Sequence, residues 1–116
     1  MFEFLLTDSI NRTVLALCKK GGWRRVRKIL VKVGEMRRLN PELMTVIFAA
    51  ISKNTPAEGA AMSVMIIPAV FQCKSCGRTG ALPDPFNALC PSCESSDLKL
   101  ISGMEFAIEV LEVEGN

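Results

Sequence analysis

Apolar residues in the first twenty positions recur at spacings of three and four, which places them on one side of a helix. This stripe consists of Leu6, Ile10, Val14, Leu17 and Cys18. Two consecutive glycines, Gly21 and Gly22, then end the pattern. We therefore predict an amphipathic helix over residues 4–20.

The period changes from Trp23 to Val33, where apolar and basic residues alternate. Ile29, Val31 and Val33 share one side of the chain, and Lys28 and Lys32 lie on the other. This alternation is typical of a half-buried strand. We expect the strand to end at Gly34.

A second helix is predicted after Asn40. Asn40 is a favourable N-cap, Pro41 suits the first helical position, and Glu42 places an acid in the first turn. The apolar face behind this start consists of Leu43, Met44, Ile47, Phe48 and Ile51. The helix is expected to run to about Lys53.

Two more strands are predicted from alternating residues. In the first, Met62, Val64 and Ile66 alternate with Ser63, Met65 and Ile67, and Pro68 should end the strand because it donates no ladder hydrogen bond. In the last strand, Met104, Phe106, Ile108 and Val110 oppose Glu105 and Glu109. The alternation inverts after Val110, so we expect a β-bulge at Val110–Leu111.

The segment from Gln72 to about Ile101 has a different composition. It is rich in Cys, Gly, Pro, Ser and Asp and contains few large apolar residues, too few for thirty residues to fold by burial alone. The fold class predicted for the whole chain is α+β, with two helices on a three-stranded sheet and a metal-held insertion. The predicted domains are residues 1–70 plus 102–116, and the inserted residues 71–101.

Four cysteines occur as two Cys-x-x-Cys pairs, in a chain without histidine. They are Cys73, Cys76, Cys90 and Cys93. This spacing favours a structural zinc with four sulfur ligands, a shell that leaves no position for water or substrate. Iron bound by four sulfurs uses the same ligands. Two disulfides would need an oxidising compartment, and no signal-peptide pattern precedes them, so we expect a reducing cytoplasm.

The fifth cysteine, Cys18, lies on the predicted first helix, away from the two pairs in sequence. Free cysteine behaves as a small hydrophobic residue and is commonly buried. We therefore expect Cys18 to be a core residue.

The charges are unevenly distributed, although the net charge is only +2. Nine of the fourteen basic residues lie between Lys19 and Arg38, and four glutamates follow Met104. The basic run is interpreted as a solvated strand face or a docking surface for an acidic partner. Nucleic acid is disfavoured because Trp23 is the one aromatic residue in the run, whereas single-strand binders interleave several.

Neither an enzyme nor a membrane protein is predicted. Ser9 and Ser63 have no histidine base, and Gly21-Gly22 lacks the residues of a phosphate-binding loop. The longest apolar run, Val64 to Phe71, has eight residues, far fewer than the roughly 20 that span a bilayer.

Several stretches in this order resemble one protein family. They are Met1 to Leu6, Val31 to Glu35, Asn40-Pro-Glu42, Thr55 to Gly59, and the two cysteine pairs. The chain resembles the HypA family of nickel-hydrogenase maturation factors along nearly its whole length. This resemblance implies a zinc-ribbon subdomain beside an α/β domain whose N-terminus takes up Ni²⁺. It also implies delivery to the large subunit of a [NiFe]-hydrogenase, together with a partner GTPase, and in some relatives to urease.

The family's nickel motif is Met-His-Glu, and the corresponding residues here are Met1, Phe2 and Glu3. Phe2 supplies no donor, so only the backbone nitrogens of Met1 and Phe2 and the Glu3 carboxylate are left, and nickel binding is expected to be weak. Phe2 indicates either a divergent member that kept the fold as a docking module or a variant with a silenced site. Packing of Phe2 against the core is a further interpretation.

Two alternative functions follow from these residues. One is a zinc-ribbon interaction module that transfers no metal, and the other, less favoured, is a zinc ribbon that binds nucleic acid. An exposed edge strand would also permit a homo-oligomer.

Overall fold

The computed structural model describes residues 2–82, 84 and 86–115. Two helices and six strands occur in these residues. The helices are α1 (Phe2–Gly21) and α2 (Pro41–Ile51); the strands are β1 (Arg25–Gly34), β2 (Ala61–Ile67), β3 (Val70–Cys73), β4 (Thr79–Gly80), β5 (Leu98–Ser102) and β6 (Phe106–Glu114). A 3-10 helix covers Glu35–Arg37. The fold is α+β, as the sequence predicted.

The strands form two three-stranded sheets, ordered β2-β1-β6 and β4-β3-β5. The first contains the three strands predicted from alternation. The second lies mostly in the segment for which no strand was predicted, because its strands β3, β4 and β5 are short, with four, two and five residues. One signal was present in the sequence: the apolar residues Leu98 and Leu100 alternate with Lys99 between them.

The chain divides into two compact units. The first comprises residues 1–32, 39–65 and 107–116, and the second residues 33–38 and 66–106. The predicted domain boundaries at residues 71 and 101 stay a prediction. They mark the segment expected to need metal in order to fold, whereas the two units are defined by contacts alone.

The core of the first unit is built mostly from the predicted apolar stripes, and Val26 is an addition to them. Its buried residues include Ile10, Val14 and Cys18 of α1, Val26, Ile29 and Val31 of β1, and Met44 and Phe48 of α2. Helix α2 begins as predicted, because the Asn40 side chain accepts a hydrogen bond from the Leu43 amide. Burial of Cys18 is confirmed.

Some predicted positions are wrong. Leu17 is 37% exposed, and Thr7 and Asn11 occupy the buried stripe instead, because that stripe passes through residues 7, 11, 14 and 18 at helical spacing. Ile66 is 40% exposed, so the alternation of β2 is lost at its last residues. β6 begins at Phe106 and leaves Met104 outside it. β2 does end directly before Pro68.

The predicted bulge at Val110–Leu111 involves the side chain of Val110, which lies outside the described part of the chain. Both residues belong to β6. The bulge stays a prediction.

A close backbone crossing joins Gly34 to Gly103 within the second unit. The Gly34 amide donates to the Glu105 carbonyl at 2.7 Å, and the Met36 amide donates to the Gly103 carbonyl at 2.9 Å. A Cβ atom on Gly34 would collide with the Gly103 carbonyl group, and one on Gly103 would lie 2.8 Å from Ala69 Cα. Only glycine fits both positions.

We predict that Gly34→Ala destabilises the protein by more than about 2 kcal/mol, because the backbone of Gly103 must move to admit the methyl group. Urea unfolding followed by circular dichroism measures the change. Gly115→Ala is the matched control, since no heavy atom lies within 4 Å of a Cβ built there. Equal unfolding midpoints for the two variants would contradict the importance of this crossing.

Candidate metal centre

The four paired cysteines come together in the second unit. Cys73 ends β3, and each of the other three lies in a turn or loop. The four sulfurs all lie within 4.8 Å of one another. Cys73 Sγ is 3.6 Å from Cys93 Sγ, and Cys76 Sγ is 3.6 Å from Cys90 Sγ.

These distances fit a tetrahedral metal. A zinc ion about 2.3 Å from each of four sulfurs requires sulfur–sulfur distances of about 3.8 Å. The shortest distances between the two pairs are close to that value. All four cysteines are free thiols. The donor set therefore fits zinc, and it fits iron equally well by geometry.

The two Cys-x-x-Cys turns have the same backbone structure. The amide four residues after the first cysteine donates to that cysteine's carbonyl, Gly77 to Cys73 at 2.9 Å and Glu94 to Cys90 at 2.8 Å. Gly77 and Glu94 both have positive φ, 80° and 63°. Each turn thereby reverses the chain at the same point, which presents its two thiols on one side.

Polar side chains connect the two turns. The Ser75 and Ser95 hydroxyl oxygens are 3.0 Å apart, and Arg78 Nη1 donates to Ser92 Oγ at 2.8 Å. Sequence reasoning missed these contacts. The available signal was the serine before the second cysteine of each pair, Cys73-Lys-Ser-Cys76 and Cys90-Pro-Ser-Cys93.

The thiols differ in acidity because their surroundings differ. Hydrogen bonding by the Cys76 amide lowers the pKa of Cys73 to about 6, and the pKa of Cys90 is lowered chiefly by the amide of Cys93. The Ser95 amide also favours the Cys93 thiolate, but the neighbouring sulfurs, Cys73 foremost, and burial outweigh it and raise the Cys93 pKa to about 12. Four thiolates this close repel one another unless a cation neutralises them.

Exposure divides the cluster into two halves. Cys73 and Cys90, the first cysteine of each pair, are buried, whereas Cys76 and Cys93 are exposed. The cluster is thus anchored in the protein on one side and reached by solvent on the other. Chelators and oxidants have access to it through the exposed cysteines.

The residues predicted for nickel are not part of this cluster. Within the described residues, the four cysteines are the only group of three or more metal-ligating side chains. Met1 lies outside the described residues. The carboxylate of Glu3 accepts a hydrogen bond from the Asn40 amide at 3.1 Å, which ties the start of α1 to the N-cap of α2.

The interpretation that Phe2 packs against the core is wrong. Its side chain is 74% exposed. The buried stripe of α1 begins at Thr7, and Phe2, five residues earlier, points away from that stripe because each helical residue turns the side chain by about 100°. Phe4 and Leu5 are also exposed.

A protein-family comparison matches residues 1–113 to "Hydrogenase/urease nickel incorporation, metallochaperone, hypA". The chain belongs to the HypA family. A hydrogenase maturation factor HypA from Dehalococcoides mccartyi strain CBDB1 is 33% identical, with 98% of this chain and 95% of the relative covered. One from Ignicoccus hospitalis is 30% identical, with 97% and 96% covered.

Solved structures of the HypA family have the same fold. The solution structure of the Ni metallochaperone HypA from Helicobacter pylori superposes with a TM-score of 0.68 at 17% identity and covers 98% of each chain. The two helices and two sheets of this chain thus form a HypA-type fold. No helix among the described residues is long and apolar enough to cross a membrane.

We predict that the chain, purified under reducing conditions, carries one zinc ion, which Cys93→Ser releases because three sulfurs leave the shell open. Metal content after gel filtration, measured by mass spectrometry, tests this. Cys18→Ala is the matched control, since Cys18 is a buried thiol of the first unit. Full zinc occupancy in Cys93→Ser, or iron in place of zinc, would contradict the prediction.

Zinc affinity is also expected to fall with acidification. Binding must displace the Cys93 proton over the whole range below pH 12, and below about pH 6 Cys73 binds a proton that also competes with metal. The affinity should therefore rise with pH, with a steeper slope below pH 6. Competition with a chromophoric chelator from pH 5 to 8 measures the slope, and a pH-independent affinity would oppose a thiolate site.

Proposed function

We propose that this protein is a hydrogenase maturation factor of the nickel metallochaperone type, with a structural zinc at Cys73, Cys76, Cys90 and Cys93. The observation that carries the proposal is the family match over residues 1–113, which includes these four converging sulfurs. Zinc is proposed in preference to iron because Cys₄ sites built from two such pairs commonly hold structural zinc.

The proposed zinc is structural because its shell is closed. Four protein sulfurs fill a tetrahedral coordination sphere and leave no position for a substrate. Apart from cysteine, the buried apolar residues among the described part of the second unit are only Val33, Ala69 and Phe71. The free energy of zinc binding is then part of the free energy of folding of this unit.

The second metal of the proposed function is Ni²⁺, held at Met1, Phe2 and Glu3 and bound weakly. Phe2 has no donor side chain, and nickel sites favour imidazole nitrogen. Helix α1 begins at Phe2, so its amide nitrogen lies at the positive end of the helix dipole, which disfavours a cation. Binding of Ni²⁺ by the Glu3 carboxylate would also compete with the hydrogen bond that this carboxylate accepts from the Asn40 amide.

The proposed recipient of nickel is the large subunit of a [NiFe]-hydrogenase, with a GTPase of the same pathway as partner. The names of the relatives support hydrogenase maturation. The proposed location is the cytoplasm, because a reducing compartment keeps the five free thiols available.

A second candidate function is an interaction module that holds zinc but transfers no nickel. The exposed Phe2 side chain favours it, since this side chain does not pack in the core and carries no donor atom for a metal. In this case the protein would bind its partner equally well with or without nickel.

Nickel titration of the zinc-loaded protein and of Phe2→His tests the proposal. We expect Phe2→His to bind Ni²⁺ at least about tenfold more tightly, because imidazole restores a strong donor beside the backbone nitrogens. Isothermal calorimetry measures the affinities.

Leu17→His is the matched control for this titration. It places one histidine on the exposed side of the same helix, about 22 Å from Phe2 at 1.5 Å per residue. Its nickel affinity should equal that of the unaltered chain. Tight nickel binding by the unaltered chain would show that Phe2 does not weaken the site. No gain in Phe2→His would favour the interaction module.

A further inference from the structure

Two adjoining clefts occur in the first unit where β1 begins. The larger has a volume of ≈ 500 Å³, and the smaller ≈ 210 Å³. They share Arg25, Gly59 and Glu114. Arg24 lines the larger cleft and Arg27 the smaller one, so three guanidinium groups surround one continuous groove, named here the arginine groove.

The backbone under the arginine groove is fixed on both sides. The Arg24 amide donates to the Glu114 carbonyl at 3.0 Å, which joins β6 to the residue before β1. The Val26 amide donates to the Pro56 carbonyl at 2.8 Å, which joins β1 to the loop after α2. The backbone that carries the arginines is therefore held by hydrogen bonds on both sides of the groove.

A carboxylate of the protein itself already occupies part of the groove. Glu114 Oε2 lies 3.0 Å from Arg24 Nη2, and Glu114 Oε1 lies 3.2 Å from Arg27 Nη1. Each guanidinium has five N–H donors, so both arginines keep donors that point to no acid. Glu114 shows which chemical group this surface holds, namely a carboxylate bridged by arginines.

Arg25 is the unused cation of the groove. Within the described part of the chain it forms no ion pair, and its guanidinium lies beside Gly59, with Nη2 3.6 Å from where a Cβ would be. Glu58 lines the larger cleft and offsets one positive charge. Six exposed basic residues nevertheless lie between Lys19 and Lys28, and among the described residues only Arg24 and Arg27 have acidic partners.

We propose that the arginine groove docks an acidic segment of a partner polypeptide. Its carboxylates bind Arg25 and the free donors of Arg24 and Arg27, and so extend the pattern that Glu114 begins. Arginine favours such contacts because its planar donors match a carboxylate in pairs. The inference does not depend on either metal site.

Charge and shape favour a polypeptide over nucleic acid. Trp23, the one aromatic residue of the basic run, is half-buried with its indole against Gly21, whereas single-strand binders stack bases on several exposed rings. Glu58 and Glu114 interrupt the row of cations that a phosphate backbone would follow. An acidic peptide whose carboxylates are spaced apart can contact the arginines without placing a carboxylate beside Glu58 or Glu114.

Fluorescence anisotropy with a labelled peptide of eight glutamates tests the inference on the full, zinc-loaded chain at low salt. We expect salt-dependent binding that Arg25→Gln weakens about three- to fivefold, the effect of one exposed ion pair. Lys99→Gln removes the same charge from β5, outside both clefts, and should leave binding unchanged. Glu114→Gln should strengthen binding about two- to threefold, because it frees two guanidinium groups.

Further measurements make the outcomes decisive. Circular dichroism and zinc content must match for all variants, and Arg25→Lys, which keeps the charge and loses the paired donors, should give an intermediate affinity. Equal losses for Arg25→Gln and Lys99→Gln would overturn the inference in favour of diffuse attraction. Tighter binding of an eight-base single-stranded oligonucleotide, or complete competition by millimolar inorganic phosphate, would overturn it in favour of nucleic acid or a small anion.

Discussion

Mutual repulsion among four closely spaced sulfurs is the constraint on which the second unit depends. All four lie within 4.8 Å of one another, and the neighbouring sulfurs, Cys73 foremost, raise the pKa of the Cys93 thiol to about 12. A divalent cation between the sulfurs attracts each thiolate, and this attraction outweighs the repulsion between them. Few apolar side chains are fully buried among the described residues of the second unit, so metal binding supplies stability that burial supplies in the first unit.

The second unit also depends on close contacts made by its backbone, which tolerate few substitutions. Gly34 and Gly103 cross too closely for either to carry a side chain. The Glu35 carboxylate accepts a hydrogen bond from the Ala69 amide, and the Arg37 side chain donates one to the Met104 carbonyl. Arg38 then lies 4.4 Å from the centre of the Phe86 ring. The segment after β1 therefore belongs with the cysteine turns, although 30 or more residues separate them in sequence.

Helix α1 combines a buried stripe with an exposed first turn, and this combination relates the fold to the proposed function. The stripe makes the helix part of the core, whereas Phe2 and Leu5 at its start remain in solvent. The Glu3–Asn40 hydrogen bond holds that first turn against the start of α2. A site for metal or partner at this end would thus have a fixed backbone and freely accessible side chains.

The sequence by itself determined the features that arise from local spacing. Four such features were predicted from the sequence: the buried positions Ile10, Val14 and Cys18 of α1, the alternation that buries Ile29, Val31 and Val33, the Asn40 cap, and the convergence of two Cys-x-x-Cys pairs. Periodicity encodes which face is apolar, and short spacing encodes which donors share a turn. Only the tertiary structure decided the contacts between distant residues.

These contacts include the second sheet, the exposure of Phe2, the Gly34–Gly103 crossing and the bridging of Arg24 and Arg27 by Glu114. Arg24 and Glu114 are 90 residues apart, so no local pattern pairs them. Their meeting follows from the order of strands in the first sheet, which packing of the whole chain selects.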